Sequence, residues 1–210
     1  HLRALPAEEN YGIRICRTDL PGQPVLRALV QYATQSDRCT TLRDGDFSVC
    51  TIEHMMAALS AIGVDNCLIE LDGPEAPILD GSAKPYVDKI TEVGLVEQRA
   101  EARVYKVQRK IEVSDEASGA RLTLLPDDTF AVDALISYDS PILTHQYASY
   151  EIGDDFAGEI APARTFVFVR EVQALVANNL IKGGDLDNAL VIYDRQLTQT
   201  DLDKLSDELG

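Results

Sequence analysis

TIEHMMAALSAIGVDNCLIELDGPEAPILDGS, residues 51–82, reads as a helix, a strand and the start of a second helix in succession. Thr51 stands where it can cap a helix running through Ile62, because Met55, Ala58, Leu59 and Ile62 recur at helical spacing and Gly63 supplies a stop. Asn66 to Leu71 then reads as a strand. Ser82 with Pro85 opens a second helix whose inward side takes Tyr86, Ile90 and Val93. The first helix begins with an adjacent acid and imidazole, Glu53-His54. A metal-bound water attacking a carbonyl needs both, the carboxylate to take a proton and the imidazole to hold the metal. The same pair also fits an ordinary solvated helix start, since short motifs recur without function.

Upstream, residues 11–32 alternate as strands: Ile13 and Ile15 on one side, a Leu20-Pro21-Gly22 turn, then a run through Leu26, Ala28 and Val30. Arg43-Asp44-Gly45-Asp46 marks a hairpin, because Asp-Gly tolerates the positive backbone angle of a tight turn. Downstream, the polar segment from Gln98 to Arg103 reads as a linker. Strand-like segments follow at Tyr105 to Val113, Arg121 to Leu125 and Phe130 to Ile136, and then a helix from about Val169 to Ala177. Residues 65–72, DNCLIELD, are echoed by residues 187–194, DNALVIYD, each after a helical stretch and a loop. The simplest account is an α+β protein of two related units, residues 1–100 and 104–210; two similar buried strands arising by chance is the alternative. Leu202, Leu205 and Leu209 alternate with acids in an amphipathic tail helix or a solvated insertion.

The 210 residues can bury one large core or two small ones, and 45% hydrophobic with 26% charged residues is ordinary for a globular protein. A formal charge of −16 argues against a general affinity for nucleic acid or an anionic membrane, which both need clustered Lys and Arg. No apolar run approaches the roughly 20 residues of a spanning helix and no leader opens the chain, so a cytoplasmic location is expected. Cys16, Cys39, Cys50 and Cys67 lack the Cys-x-x-Cys spacing of a zinc ribbon and read as free thiols.

Five motifs carry a resemblance to a known family. They are Thr51-Ile52-Glu53-His54, Gly63-Val64-Asp65-Asn66, residues 72–82 (DGPEAPILDGS), and the later pair Ile160-Ala161-Pro162-Ala163-Arg164-Thr165-Phe166 and Lys182-Gly183-Gly184-Asp185-Leu186-Asp187-Asn188-Ala189. In this order they resemble the zinc-dependent UDP-3-O-acyl-N-acetylglucosamine deacetylases, the LpxC family, over nearly the whole chain. The resemblance implies two domains of similar fold, each a mainly antiparallel sheet with helices, the helices packed between the two sheets and the active site at their junction. It also implies removal of acetate from acylated UDP-glucosamine, a step of lipid A synthesis in Gram-negative bacteria. Some members of the family are fused to a 3-hydroxyacyl-carrier-protein dehydratase.

By the same resemblance Glu53 is the general base, His54 the first zinc ligand, and Thr165 the hydroxyl donor to the oxyanion, one such donor contributing about 3 kcal/mol. A simple cap is the other reading of Thr165. Phe166 corresponds to a contact with sugar and acyl chain. Val172, Leu180 and Ile181 correspond to acyl-tunnel walls, with core packing the alternative. Gly184, beside Gly183, allows close backbone approach to substrate or simply a turn. Lys182 offers a point charge for a diphosphate, or is a solvated loop lysine. Asp80 either orients the metal shell from behind or caps the following helix. Cys39 lies near a point where some members carry a cysteine able to approach the metal.

An open zinc site needs about three protein ligands. His1 and His145, the other histidines, match no ligand of the family, whose second histidine and aspartate ligands fall after the position of Gly210. The chain therefore reads as a portion beginning late and ending early, with inactivity and weak zinc binding expected of it alone. A noncatalytic module that binds nucleotide sugars, or serves as a scaffold, is the competing reading.

Overall fold

The computed structural model describes residues 1–34, 38–172, 187–201 and 203. In chain order the first hundred residues form β1 (Leu2–Pro6), β2 (Ile13–Arg17), β3 (Val25–Arg27), β4 (Ala33–Thr34), β5 (Thr41–Asp44), β6 (Phe47–Val49), α1 (Glu53–Ala61), β7 (Cys67–Leu71) and α2 (Lys84–Val93). One sheet has the order β1-β7-β2-β3, with β7 antiparallel to β1 and parallel to β2. A second, smaller sheet is β4-β5-β6, its last two strands joined by the Asp-Gly turn that the sequence marks.

Alternation decides which side of β7 is buried: Cys67, Ile69 and Leu71 face inward while Leu68 and Glu70 stay half-buried between them. The apolar stripe of α1, Met55, Ala58 and Leu59, closes over the same core with Ile15, Val49, Tyr86 and Val87. Fully burying a side chain of the size of Ile15, Val49, Met55 or Leu59 contributes about 1.5–3 kcal/mol relative to exposure. Ala161, far along the chain, belongs to this core as well.

Four sequence readings change. The run expected to continue through Ala28 and Val30 stops at Arg27, because Leu29 N–H turns back to Arg27 O and Tyr32 N–H to Leu29 O, making the 3-10 turn Val30–Tyr32. Thr51 does not cap α1: its φ is 57°, and its hydroxyl donates to Glu75 Oε1 at 2.8 Å. Val93 shares the face of Tyr86 and Ile90 but lies in the last turn of α2, outside the core. Val104 and Tyr105 are exposed, and the strand expected from Tyr105 begins only at Ile111.

The later residues form β8 (Ile111–Ser114), β9 (Arg121–Leu124), β10 (Ala131–Ser137), β11 (His145–Glu151), a π turn at Phe156–Ile160, β12 (Phe166–Phe168) and β13 (Leu190–Ile192). β8 with β9 and β10 with β11 are antiparallel pairs, whereas β12 and β13 run parallel. The helix expected after Phe168 starts at Val169, and its part from residue 173 on lies outside the described residues, as does most of the amphipathic tail. The protein is thus mixed α+β with several sheets and few helices. Among the described residues no helix is long and apolar enough to cross a membrane.

Candidate functional site

Two short segments with unusual backbone lead into the candidate residues. Thr51, two residues before Glu53, and Leu79, just before Asp80, both have positive φ, at 57° and 55°. Such conformations are uncommon for side chains of these shapes and persist only where surrounding bonds hold them. At Thr51 the bond to Glu75 does so.

Glu53 and His54 occupy the first turn of α1, both half-buried. A carboxylate there is favoured by the exposed N–H groups of the helix start. Glu53 Oε2 also accepts from Thr40 N at 3.0 Å, which fixes the direction of the carboxylate. Two residues before Thr40, the Arg38 guanidinium donates through both terminal nitrogens, at 3.0 and 2.8 Å, to one oxygen of Glu171. The loop that steadies Glu53 is thereby tied to the segment after β12. Cys39, between them, has its sulfur 3.6 Å from Thr41 Oγ1, and none of the four cysteines forms a disulfide among the described residues. Burial pushes the Cys50 thiol up, with Glu75 adding to the effect.

The turn before α2 is the second segment. Asp80 Oδ1 accepts from Ser82 N at 3.0 Å and from Ser82 Oγ at 2.8 Å, while Ser82 Oγ accepts from Lys84 N at 3.1 Å. Asp80 thereby fixes the turn that leads into α2, whose N-cap position Ala83 makes no side-chain cap bond. Its backbone carbonyl accepts from Arg164 Nε at 2.7 Å. The carbonyl of Gly81 accepts from Thr165 N at 2.7 Å, and Ala83 N–H donates to Ala161 O at 3.1 Å. Three consecutive links thus fasten residues 80–83 to residues 161–165. Thr165 is held from the other side too, since its carbonyl accepts from Leu190 N at 2.9 Å.

Phe166, next to Thr165, packs edge-on against Tyr138 with ring centroids 5.3 Å apart, and against Phe168 at 5.6 Å. Val172 is half-buried in the helical turn after Phe168. Leu180, Ile181, Lys182 and Gly184 lie outside the described residues. Sequence reading overlooked Arg38, Thr40 and Glu171, which have no motif, and gave no role to Gly81 or Arg164 although both stand inside quoted motifs. An arginine next to a proposed hydroxyl donor was the one usable signal among them.

His54 is one suitable donor for a zinc ion. Among the described residues no three His, Cys, Asp or Glu side chains converge on a common point that would hold a metal ion. A groove of about 1700 Å³ lies elsewhere, bordered by Leu5, Val64, Tyr86, Ile90 and Leu95, and none of the candidate residues lines it.

The sequence model of LpxC, UDP-3-O-acyl N-acetylglycosamine deacetylase, matches residues 1–209. The chain is 57% identical over 210 residues to the bifunctional enzyme LpxC/FabZ of Porphyromonas gingivalis, covering 100% of this chain and 46% of the relative. It is 49% identical to the protein of the same name from Bacteroides thetaiotaomicron, covering 98% and 44%. It is 42% identical over 195 residues to the UDP-3-O-acyl-N-acetylglucosamine deacetylase of Neisseria gonorrhoeae, covering 90% and 63%. The chain therefore spans about half to two thirds of the length of these curated relatives.

Proposed function

Since the chain belongs to the LpxC family of UDP-3-O-acyl N-acetylglycosamine deacetylases, we propose that the natural protein removes acetate from UDP-3-O-acyl-N-acetylglucosamine in lipid A synthesis. The observation that carries this reading for the chain's own residues is the double anchoring of the two motifs. Glu53 is aimed by Thr40 N–H, and Thr165 is fastened to the turn before α2 by its own N–H.

In this reading the Glu53 carboxylate takes a proton from the water that attacks the acetamide carbon. The new C–O bond leaves negative charge on the former carbonyl oxygen, and the Thr165 hydroxyl donates to it. Collapse breaks the C–N bond, the amine takes up a proton, and acetate leaves. A bound zinc ion would polarise the carbonyl and acidify the water, with His54 as the ligand these residues offer. Phe166 and Val172, with Leu180 and Ile181, are proposed to meet the acyl chain, since burying each methylene contributes about 0.8 kcal/mol. Lys182 is proposed to meet the diphosphate, and Gly184 to let the backbone approach the substrate closely.

We further propose two similar α+β lobes, residues 1–100 and 104–210, with helices between their sheets. The matched parallel pairs β2/β7 and β12/β13, the second strand of each carrying the echoed sequence, support it. The two relatives named LpxC/FabZ support a fused dehydratase in the full protein, and a cytoplasmic location accords with that chemistry.

The test is acetate release from the acylated UDP-sugar by the full natural protein supplied with zinc. Glu53→Ala is expected to lower turnover by about a hundredfold or more, as loss of a general base does. Unchanged turnover in that variant removes Glu53 from the mechanism. Tight binding of the nucleotide sugar with no acetate released would instead favour the noncatalytic module.

A further inference from the structure

We propose that Gly81 is a positioning residue for the reaction, its missing side chain setting where the Thr165 hydroxyl stands; this rests on the reading of Thr165 as the oxyanion donor. Gly81 has φ +81°, and a Cβ placed on it would lie 2.0 Å from the Asn188 carbonyl oxygen, 2.9 Å from that carbonyl carbon and 3.1 Å from Thr165 Cγ2. The nearest obstacle is backbone, which cannot swing aside as a side-chain tip can. At Gly158, by comparison, the nearest atom is the end of the Asp155 side chain.

Accommodating even one methyl group therefore requires residue 188 to move by about 1 Å or more, because packed atoms do not tolerate such overlap. That movement has a direct route to Thr165. Asn188 lies two residues before Leu190, whose N–H donates to Thr165 O at 2.9 Å, while Thr165 N–H donates to Gly81 O at 2.7 Å. Gly81, Thr165 and the 188–190 segment form a closed ring of backbone contacts joining three distant parts of the sequence. Any spreading at Gly81 must displace the threonine, and a misplacement of about 1 Å in a reacting group costs about a hundredfold in rate.

Gly63 separates crowding from backbone conformation. Its φ of +77° is nearly the same, yet nothing lies within 4 Å of where its Cβ would be. In the full natural protein, Gly81→Ala is expected to lower kcat by about ten- to a hundredfold with KM within about threefold, while Gly63→Ala keeps kcat within about twofold, having only the conformational cost of a left-handed alanine. The Thr165 methyl resonance is expected to shift in Gly81→Ala and not in Gly63→Ala.

A double-mutant cycle closes the test. Gly81→Ala placed on Thr165→Ala is expected to add less than about a twofold further loss, because residues acting through one group are not additive. Losses that multiply in full, or an unmoved Thr165 methyl, overturn the positioning role. An undiminished kcat in Thr165→Ala alone overturns the donor reading itself. Should Gly81→Ala not fold, Asn188→Gly, which keeps the facing carbonyl but frees the backbone that carries it, takes its place in the cycle. A kcat loss with Thr165 present that vanishes in Thr165→Ala supports the proposal, and any other result there refutes it.

Discussion

β7 and β10 carry the same kind of message and meet opposite ends. In β7 the inward residues Cys67, Ile69 and Leu71 are 5%, 0% and 1% exposed; in β10 the apolar residues Val132, Leu135 and Ile136 are 46%, 69% and 49% exposed. β7 is flanked by β1 and β2 and covered by packed helices, whereas among the described residues β10 pairs with β11 alone. Periodicity specifies which side of a strand is apolar, and only the neighbouring elements decide whether that side is dry. A two-stranded pair by itself is at best marginally stable in water. The stability of the described protein therefore resides in the sheet of β1, β7, β2 and β3 with α1 and α2, and the candidate residues sit where later segments fasten to that body.

The strongest way to break this contrast is to truncate one residue from each strand. Ile69→Ala should cost about 2–5 kcal/mol, the range for emptying a fully buried aliphatic site, while Leu135→Ala should stay within about 0.5 kcal/mol. Urea unfolding of both variants decides the matter, and equal costs would abolish the distinction.

A somewhat smaller effect comes from Tyr86, which donates to Pro77 O at 2.5 Å and whose phenol burial pushes up to about 12. Below about pH 10 the phenol is neutral in both folded and unfolded chains. Between about pH 10 and 12 the unfolded chain loses this proton and the folded one keeps it, so stability falls as pH rises through that window. The loss by pH 12 should be about 2 kcal/mol, allowing for partial solvent access. Ultraviolet titration should find Tyr86 ionising late. Its ordinary titration in the folded protein would place α2 outside the well-packed part.

The smallest effect belongs to the edge of the sheet. Arg3 and Glu70 face each other across β1 and β7 and form an ion pair with Arg3 largely exposed. Arg3→Ala should cost less than about 1 kcal/mol, and the difference should shrink in high salt. A larger, salt-insensitive loss would mean that β1 depends on this contact more than on the core beneath it.

Much of the well-packed part was legible in the sequence. The spacing of Met55, Ala58 and Leu59 marked the buried stripe of α1, Pro85 the start of α2, Asp44-Gly45 the hairpin, and the run from Asn66 to Leu71 the strand observed at Cys67–Leu71. The misreadings share a cause. Thr51 and Val30 have local preferences for capping and for strand, but each was overruled by a bond to another residue, Glu75 for the first and the backbone turn after Arg27 for the second. In the candidate site Glu53 and His54 stood out because an acid beside an imidazole is chemically conspicuous. The ring of Gly81, Thr165 and Asn188 did not, because it is made of backbone atoms, which every residue possesses.

Sequence alone determined the family, the order of the motifs, the acidic character and the helix that begins with Glu53-His54, since these depend on residue identity and on spacings within one element. Tertiary structure decided which apolar strand side is dry, which partner takes the Thr51 hydroxyl, and that residues 80–83 are bonded to residues 161–165. Those outcomes depend on contacts between segments 24 to 84 positions apart, where shape and available backbone groups matter and local preference carries no information.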